Sequence, residues 1–303
     1  MNQKLEKLIA RYAELSGNPK AFSESMLRPP PKAFRVNTLK ASPHEVSERM
    51  RSHGLLIGPL MFCREAFLTS SDATQSLEHR LGLIYFQDPA SLLPVLVMQS
   101  ELKTAKFVLD ACAAPGSKTT HIAAIMENRG VLVANDSSSQ RVRALRFNLE
   151  KAGAVNVVVT NHSLLAFPPA QFDAILLDAP CSLEGTARAD PSALKAWSLK
   201  KVKILSKLQK RMILKAFDLL DQGGVMVYST CTFAPEENEA VISHLVEKRP
   251  ARLEMVFIPG FETRPGVAEW NGEKFAFETG RAARVWPHHN DTAGFFMAKV
   301  KKE

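Results

Sequence analysis

The segment Lys106–Lys118 reads Lys-Phe-Val-Leu-Asp-Ala-Cys-Ala-Ala-Pro-Gly-Ser-Lys. Its apolar start, Phe107–Leu109, predicts a short buried strand that ends at Asp110. Small residues and a Pro-Gly pair then predict a tight loop, after which Ser117 can cap a helix over Thr119–Met126. A strand, a loop and a helix in this order are typical of an open α/β sheet, which binds its ligand at the carboxyl ends of its strands.

The loop inside this segment is suited to a small ligand. Small side chains let the backbone approach a ligand closely, and the N–H groups at a helix start can hold a carboxylate. The loop contains one glycine, Gly116, instead of a G-x-G-x-x-G series, which gives little support to a nicotinamide or flavin site. The sequence also lacks a Walker phosphate-binding pattern.

Strand and helix patterns alternate after Lys106, which predicts an α/β fold with a mostly parallel sheet. The strands are predicted at Phe107–Ala111, Gly130–Asn135, Val155–Asn161, Phe172–Asp178 and Gly224–Ser229. The helices are predicted near Lys118–Met126, Ser139–Gly153, Leu199–Leu220 and Pro235–Lys248. A late strand at Gly294–Val300 is predicted to form an antiparallel edge.

The first part of the chain has a different pattern. An amphipathic helix over residues 3–16 and a second helix at Lys20–Leu27 precede a strand at Ala33–Leu39, a helix at Ser42–His53 and two short strands within Gly54–Leu68. This pattern predicts a small α+β domain over residues 1–80 and a larger domain over residues 81–303. The basic residues of the small domain can contact RNA or form an ordinary solvated surface.

The composition limits the partners. The 303-residue chain has 39 Lys and Arg against 31 Asp and Glu, a net charge of +8, which indicates a polyanionic partner although many basic proteins bind no nucleic acid. Cys63, Cys112, Cys181 and Cys231 form no C-x-x-C pair. Free thiols in a reducing cytoplasm, with no metal, are the simplest interpretation. The sequence lacks a signal peptide pattern and an apolar run that could span a membrane.

The ends of three further strands carry reactive groups. Asp136 follows the second strand, where a carboxylate can accept hydrogen bonds from two ribose hydroxyls, although an Asp there is also a common helix cap. Asp178 and Cys181 follow the fourth strand, and Cys231 follows the fifth. The start of the next predicted helix is expected to lower the pKa of Cys231. A single cysteine is usually a small buried apolar residue, but two at neighbouring strand ends indicate chemistry.

Methylation of a pyrimidine at C5 requires this combination of a nucleoside cofactor, a thiolate and a carboxylate. C5 is too weak a nucleophile to attack a methyl sulfonium directly, whereas a thiolate that adds at C6 produces an enamine-like intermediate whose C5 can attack. An acid near N3 stabilises the adduct, and a base later removes the C5 proton.

Eight motifs resemble those of the RNA cytosine-C5 methyltransferases that use S-adenosylmethionine, the Nol1/Nop2/Sun (RsmB/NOP) family. They occur in order over nearly the whole chain: Arg35-Val-Asn-Thr38, Gln87-Asp-Pro-Ala-Ser91, Asp110-Ala-Cys-Ala-Ala-Pro-Gly-Ser-Lys118, Asp178-Ala-Pro-Cys-Ser182, Glu184-Gly-Thr186, Ser229-Thr-Cys-Thr232, Glu236-Glu-Asn-Glu239 and Gly294-Phe-Phe296. The resemblance implies a class I methyltransferase domain, Rossmann-like with a seven-stranded mostly parallel sheet, behind a small RNA-contacting domain.

The resemblance also implies roles for individual residues. Cys231 is expected to be the nucleophile, and Cys181 to assist breakdown of the covalent adduct and product release. This order of the two thiols rests on the resemblance, because DNA cytosine methyltransferases use the Pro-Cys position as the nucleophile. Asp178 is expected to contact the cytosine and the cofactor, and Lys118 to reach into the same site. The expected cofactor-binding residues are Cys112, Ala113, Ala114, Pro115, Gly116, Ser117 and Lys118 for the methionine part, Asp136 for the ribose, and Ser163 and Asp178.

Two positions depart from the family pattern. Ser163 occupies the position after the third strand where the family usually has an acidic residue for the adenine amino group. A serine can still accept one hydrogen bond, so we predict weaker cofactor binding. Ser117 stands where glycine is common, and a serine there is expected to be tolerated.

A basic helix is the second candidate RNA contact. Eight basic residues lie between Lys195 and Lys215, opposite an apolar stripe that runs from Val202 to Leu219. This basic face can follow phosphates or be an ordinary solvated face. The pair His288-His289 is not predicted to bind a metal, because the sequence shows no third ligand.

We therefore predict a cytoplasmic, monomeric enzyme that transfers methyl from S-adenosylmethionine to C5 of cytosine in structured RNA. We expect tRNA as the substrate, with rRNA as the alternative. A non-catalytic RNA-binding assembly factor that kept the fold is the rival from another class, supported by Ser163 alone. A methyltransferase for another base or for protein is a third alternative. The enzymes that methylate exocyclic amino groups favour Asp/Asn-Pro-Pro-aromatic after the fourth strand, which Asp178-Ala-Pro-Cys181 does not match.

Overall fold

A computed structural model describes residues 3–70 and 73–303. The helices are α1 Gln3–Tyr12, α2 Pro19–Met26, α3 Pro43–Ser52, α4 Leu77–Arg80, α5 Leu93–Val97, α6 Gln99–Leu102, α7 Ser117–Ile125, α8 Ser139–Ala152, α9 Leu199–Asp218, α10 Glu239–Lys248 and α11 Pro287–Asn290. None of the helices in the described ranges is long and apolar enough to cross a lipid bilayer.

A small antiparallel sheet follows the first two helices. It consists of β1 Lys32–Val36, β2 Ile57–Leu60, β3 Cys63–Thr69 and β4 Ile84–Phe86, in the order β2-β3-β1-β4. Strand β4 of this sheet lies beyond residue 80, the predicted end of the small domain. The boundary between residues 80 and 81 stays a prediction.

The large sheet begins with the five predicted parallel strands. These are β5 Phe107–Asp110, β6 Val131–Asn135, β7 Val157–Thr160, β8 Phe172–Asp178 and β9 Leu220–Thr230. The remaining strands of the chain are β10 Ala251–Glu254, β11 Arg264–Pro265, β12 Glu269–Trp270, β13 Glu273–Lys274, β14 Ala283–Val285 and β15 Phe295–Lys302. Among them, β12 and β13 form a separate hairpin.

The order of strands in the large sheet is β11-β14-β15-β9-β8-β5-β6-β7, and β10 pairs with β15. The predicted α/β fold with a mainly parallel sheet is confirmed, since β5 to β9 are parallel and β15 runs antiparallel to its neighbours β9, β10 and β14. The prediction that the last strand is an edge was wrong. β15 lies between β9 on one side and β10 and β14 on the other, and those two strands are too short to show an alternating pattern in the sequence.

The two faces of the large sheet are covered by separate groups of helices. Side chains alternate along a strand, so Val108 packs with Ile122 of α7 and its neighbour Leu109 packs with Ile213 of α9. This three-layer arrangement brings the carboxyl ends of β5, β6, β8 and β9 to one edge of the sheet, where the loops that follow them meet.

Two helix starts differ from the sequence predictions. Ser117 is the first residue of α7 instead of its cap, and Gly116 occupies the capping position at φ 111°. α10 begins at Glu239 instead of Pro235, because residues 235–238 form turns. The helix start is therefore eight positions after Cys231, and the predicted effect of its dipole on Cys231 loses its basis.

The predicted α+β domain implied that the amino-terminal helices pack on the small sheet. In the structure they pack elsewhere. Leu8 and Tyr12 of α1 and Phe22 of α2 are buried together with Trp197, Phe233 and Trp286. The first helices are thus part of the core beside the loop that carries Cys231.

Candidate active site

The loop between β5 and α7 is held by its neighbours. The Ala113 N–H donates to Asn135 O at 2.8 Å, and the Ala114 N–H donates to Asp136 Oδ2 at 3.2 Å. Asn148 Nδ2 donates to Pro115 O at 2.8 Å. These N–H groups of Ala113 and Ala114 are already paired, so any ligand carboxylate at this loop must use other donors.

Asp136 lies at the end of β6 and is buried. Its carboxylate accepts from the Ser138 N–H at 2.9 Å and pairs with Arg141 at 3.3 Å. Arg141 also donates to Ala114 O. A carboxylate oxygen accepts more than one hydrogen bond, so Asp136 is fixed in place and keeps capacity for a ligand hydroxyl.

Lys118 and Asp178 form an ion pair at the next strand end. Lys118 Nζ lies 2.7 Å from Asp178 Oδ2, and Ser229 Oγ donates to Asp178 Oδ1 at 2.8 Å. Burial acts to lower the pKa of Lys118, but the neighbouring Asp178 and Cys231 raise it, and the net pKa is above its ordinary value. The lysine therefore remains an ammonium group beside both strand ends.

Cys181 and Cys231 are in contact through their sulfur atoms. Cys181 Sγ and Cys231 Sγ are 3.2 Å apart. The contact with Cys231 and burial hold the pKa of Cys181 well above its ordinary value. Cys181 therefore keeps its proton and can donate it to the other sulfur.

The residues that follow the two cysteines hold the loops together. Ser182 Oγ and Thr232 Oγ1 are 2.8 Å apart, and the Gly185 N–H donates to Cys231 O at 2.9 Å. The Ser182 N–H also donates to Glu237 Oε2 at 3.1 Å. The short distance between the sulfur atoms is therefore a consequence of hydrogen bonds on both loops.

Glu184 is the centre of this arrangement and was not predicted as a site residue. It is fully buried, and its carboxylate accepts from Tyr12 Oη at 3.0 Å, Trp197 Nε1 at 2.6 Å, Thr232 Oγ1 at 2.6 Å and the Phe233 N–H at 3.1 Å. Burial raises its pKa, and these hydrogen bonds oppose the shift. Glu184 thus connects α1 to the residues that follow Cys231.

Close backbone contacts explain two glycines in the family motifs. The Gly294 N–H donates to Gly185 O at 3.0 Å. A Cβ atom on Gly185 would overlap the carbonyl of Gly294, and one on Gly294 would overlap the Phe233 ring. A side chain at either position would push the Cys231 loop out of place.

These strand ends surround a cavity of about 380 Å³. That volume is within the range of about 300–1,000 Å³ for cofactor and ligand sites. The predicted site residues Cys112, Asp136, Ser163, Asp178, Cys181 and Cys231 line it. Its apolar wall includes Leu164, Leu165, Leu208 and Met212, so an acidic end suited to ribose hydroxyls and an apolar surface suited to an adenine ring are both present.

The other predicted residues lie behind this lining. Residues 113–117 do not line the cavity, and Lys118 reaches it through Asp178. Asn135 and His162 line the cavity and were not predicted. Their position after β6 and β7 was a usable signal, because function collects at strand ends. Within the described ranges, no group of His, Cys, Asp and Glu could hold a metal ion.

Comparison with protein families decides the assignment. The model of the family described as 16S rRNA methyltransferase RsmB/F matches residues 97–301. A model of the N-terminal domain of 16S rRNA methyltransferase RsmF matches residues 6–89. The chain belongs to the RsmB/F methyltransferase family. The predicted family resemblance, and the prediction of an enzyme from an RNA methyltransferase family, are thus confirmed.

Curated relatives of this RsmB/F-family chain differ in their named substrates. A tRNA (cytosine(49)-C(5))-methyltransferase from Pyrococcus abyssi is 39% identical, with 98% of this chain and 96% of the relative aligned. Ribosomal RNA small subunit methyltransferase F from Vibrio campbellii is 40% identical, with 94% of this chain aligned. The chain spans only 60% of the length of that second relative.

Solved structures share the fold of this chain. A methyltransferase homolog from Pyrococcus horikoshii superimposes over the full length of both chains, with a TM-score of 0.85 and 32% identity. NSun6 from the same organism, solved with the S-adenosylmethionine analogue SFG, covers all of this chain and 98% of its own, with a TM-score of 0.83. At 22% identity, the second likeness shows the fold alone.

Proposed function

We propose that the protein transfers a methyl group from S-adenosylmethionine to C5 of cytosine in structured RNA, with tRNA favoured over rRNA. One observation carries the proposal. Cys181 and Cys231 are 3.2 Å apart, beside the Lys118–Asp178 ion pair and at the edge of a cavity with a carboxylate at the ribose position. This combination supplies what addition to a pyrimidine ring needs.

The residues around the cavity fit S-adenosylmethionine. Asp136 would bind the ribose hydroxyls, Cys112 and the loop through Lys118 would border the methionine part, and Ser163 would accept from the adenine amino group. The bound cofactor supplies the methyl group. The protein's own part is to place the cytosine between this donor and the cysteines.

Cys231 is the proposed nucleophile. Its thiolate electron pair forms a bond to C6 of cytosine, and the electrons of the C5–C6 double bond move toward N3. Asp178 and Lys118 form a hydrogen-bonded pair that can share a proton with the ring at this point. C5 then carries the electron density needed for methylation.

Cys181 is proposed to act in the second half of the reaction. After methylation, a base takes the C5 proton, the electrons of that C–H bond restore the C5–C6 double bond, and the C6–S bond breaks so that Cys231 leaves as a thiolate. Cys181 holds its proton next to that sulfur, so it can stabilise the departing thiolate and assist release of the product.

The choice of tRNA follows a relative that carries a tRNA name, and the rRNA-named relatives keep rRNA as the alternative substrate. The tRNA-named relative is 39% identical and aligns with 98% of this chain. The basic face of α9 supports an RNA partner, since Lys203 and Lys207 are exposed close to Leu208, which lines the cavity.

A methyl-transfer assay tests the proposal. It measures transfer of labelled methyl groups from S-adenosylmethionine to total RNA from cells that lack the gene. Bisulfite sequencing of the product then locates the cytosine. We expect Cys231→Ala to abolish transfer and Cys181→Ala to accumulate a covalent RNA–protein adduct. Cys63→Ala, a buried cysteine of the small domain, is the matched control and should transfer at the wild-type rate.

Normal turnover by Cys231→Ala would refute its role. Wild-type rates in Cys181→Ala without an adduct would overturn the division of labour between the thiols. If the wild-type protein binds RNA but transfers nothing and binds no S-adenosylmethionine in calorimetry, the assembly-factor alternative is correct instead.

A further inference from the structure

A second cavity, of about 210 Å³, lies between the small sheet and helices α7 and α8. It is separate from the proposed methyl-transfer site. Arg35 and Tyr85 contribute to it from the small sheet, Thr120 from α7, and Asn148 and Lys151 from α8. The cavity is smaller than pockets for drug-sized ligands, which have about 300–1,000 Å³, and has room for one small planar group.

The polar wall of this cavity contains a buried arginine with a spare donor. Arg35 in β1 is directly opposite Tyr85 in β4, so both side chains lie on one face of the small sheet. Neighbouring Phe34 and Val36 point to the other face and form the core of the small domain. Arg35 is 1% exposed, donates to Thr120 Oγ1 at 2.9 Å and has an Nε atom without a partner among the described residues.

A buried donor of this kind normally has an acceptor. Burial lowers the pKa of Arg35 to about 10, so the guanidinium is still charged at neutral pH. Its planar fork can bind carbonyl and ring-nitrogen acceptors of a nucleic acid base, as arginine does with guanine. Arg35 lines the cavity, so an acceptor atom of a base bound there can hydrogen-bond the guanidinium.

The other walls of the cavity are aromatic. Tyr85, Phe86 and His79 line it, and the His79 and Phe86 rings are 5.2 Å apart at 87°. Proteins that recognise unpaired RNA bases stack them on aromatic rings and hydrogen-bond their edges. Aromatic rings together with a guanidinium and an amide match a base better than they match a lone phosphate.

The cavity adjoins the proposed methyl-transfer site. Burial raises the pKa of Tyr85, and the charges of Arg35 and Lys118 oppose the shift, so the phenol is near both cations. Arg141, which lines the first cavity, and Asn148, which lines the second, are two turns apart on the same side of α8. That separation is about 10 Å along the helix axis, a distance that neighbouring nucleotides of one RNA strand can span.

The outer rim of the cavity suits an RNA backbone. Lys151 belongs both to the cavity and to an open surface groove with Arg80 and Phe147, and Phe147 is 64% exposed. Basic side chains that alternate with an exposed aromatic ring are typical of single-stranded nucleic acid surfaces. A strand entering here would pass from the groove to the second cavity and then to Cys231.

We infer that this second cavity binds the base of a nucleotide that neighbours the target cytosine in the RNA. The inference rests on the proposed function and specifies its substrate further. Arg35 hydrogen-bonds the base, Tyr85 from the same face of the small sheet packs on it, and Lys151 contacts the adjoining phosphate. Such a site would set which sequence context is methylated.

Crosslinking tests the position of the neighbouring nucleotide directly. Total RNA from cells that lack the gene, grown with 4-thiouridine, is bound to the full-length protein, irradiated and digested, and the attached nucleotides are mapped by mass spectrometry. We expect adducts on Tyr85, Phe86 or His79. Adducts confined to α9 and to the first cavity would overturn the inference.

Two variants test how much the second cavity contributes to methylation of RNA. They are needed because an Arg35 variant alone could fail to fold. We expect Tyr85→Ala and Lys151→Glu each to lower kcat/KM for RNA by about tenfold, the value of one stacked base or one reversed phosphate contact. S-adenosylmethionine affinity and melting temperature should stay within the wild-type range. Lys103→Glu, an exposed lysine at the end of α6, is the control and should match the wild type.

Failure of this inference can be distinguished from failure of the proposed function. If the wild-type protein methylates RNA and both cavity variants behave as Lys103→Glu does, only the second cavity is wrongly assigned. If the wild-type protein transfers no methyl group to RNA, the proposed function fails, and the crosslinking result still reports whether the cavity contacts RNA.

Discussion

At the scale of single residues, the sulfur pair depends on side chains outside the cavity. Ser182 and Thr232 each follow a cysteine, and their hydroxyl groups are 2.8 Å apart. Glu184 accepts from Thr232 at 2.6 Å. Because hydroxyl groups both donate and accept, Thr232 can donate to Glu184 and accept from Ser182, so one chain of hydrogen bonds sets the positions of both thiols.

The serine at the adenine position leads to the first prediction. Ser163 is exposed at the rim of the large cavity, where a carboxylate would accept a stronger hydrogen bond from the adenine amino group. We expect Ser163→Asp to tighten S-adenosylmethionine binding by about 1 kcal/mol, or about fivefold in Kd. Calorimetry measures this, with Ser163→Ala as the control that should bind no tighter than the wild type. Equal affinity of all three proteins would mean that the adenine lies elsewhere.

The second prediction concerns pH. Burial raises the pKa of Glu237 to about 7, above the ordinary value of about 4.3. At pH values between these two pKa values, the folded state therefore binds more protons than the unfolded state. Stability therefore falls as the pH rises from about 4 to 7, by on the order of 3 kcal/mol.

Glu237→Gln should remove this contribution, because the amide does not ionise. Between pH 5 and pH 8, we expect the melting temperature of the wild type to drop several degrees more than that of Glu237→Gln. The exposed Glu247→Gln should melt like the wild type at each pH. Parallel melting profiles of the Glu237 variant and the wild type would contradict the prediction.

Much of the site could be predicted from the sequence at this scale. Asp136, Asp178, Cys181 and Cys231 stand at strand ends, and strand ends meet at one edge of a parallel sheet. Glu184 could not be found in this way. Its four donors come from α1, from a loop before α9 and from the Cys231 loop, and no sequence spacing relates segments so far apart.

At the scale of elements, the approach of two loops gives the third prediction. Gly185 and Gly294 touch through their backbones, so a methyl group on Gly185 must move the Cys231 loop. We expect Gly185→Ala to destabilise the protein by about 1–3 kcal/mol and to lower kcat much more than it alters S-adenosylmethionine affinity. Gly58→Ala in β2, where a Cβ meets no atom, is the control. A normal kcat in Gly185→Ala would show that the loop tolerates the shift.

The basic face of α9 gives the fourth prediction. Lys203 and Lys207 are exposed along one side of the helix. If they contact phosphates, Lys203→Glu with Lys207→Glu should reduce the slope of log affinity for RNA against log salt by about 1–2. The double variant Lys103→Glu with Lys248→Glu has the same charge change at the opposite edge of the sheet and should keep the wild-type slope. Filter binding over a salt series measures both, and equal slopes would leave α9 as a solvated face.

The elements themselves were predictable where a periodic pattern was long. The five parallel strands and α9 occur close to the predicted bounds. The start of α10 and the interior position of β15 were missed. Turns over residues 235–238 resemble a first helical turn in sequence, and β10 and β14 are too short to signal that they flank β15.

At the scale of the whole molecule, one asparagine joins the small sheet to the catalytic domain. Asn37 Nδ2 donates to Gly82 O at 2.9 Å and to Ala152 O at 2.8 Å, at the end of α8. The fifth prediction is that Asn37→Ala lowers the free energy of unfolding by about 2–3 kcal/mol, since two buried carbonyl groups lose their donor. Denaturant titration measures this, with the exposed Thr38→Ala as the control. A loss below that of Thr38→Ala would mean that the two parts are joined by other contacts.

The joining of the parts was the least predictable aspect of the fold. The sequence pattern groups α1 and α2 with the small sheet because they precede it, whereas in the structure they are buried against Trp197, Phe233 and Trp286. Chain neighbours usually pack together, and only the large aromatic side chains of later segments make this distant partner more favourable.

The bond between Tyr12 and Glu184 joins residues that are 172 positions apart. At a synthesis rate of about 5–20 residues per second, Tyr12 is synthesised roughly 9 to 34 seconds before Glu184. The nascent chain must therefore keep the apolar side of α1 from aggregating for that whole interval. The contact between Gly185 and Gly294, which holds the loop beside Cys231, can form only after translation has passed residue 294.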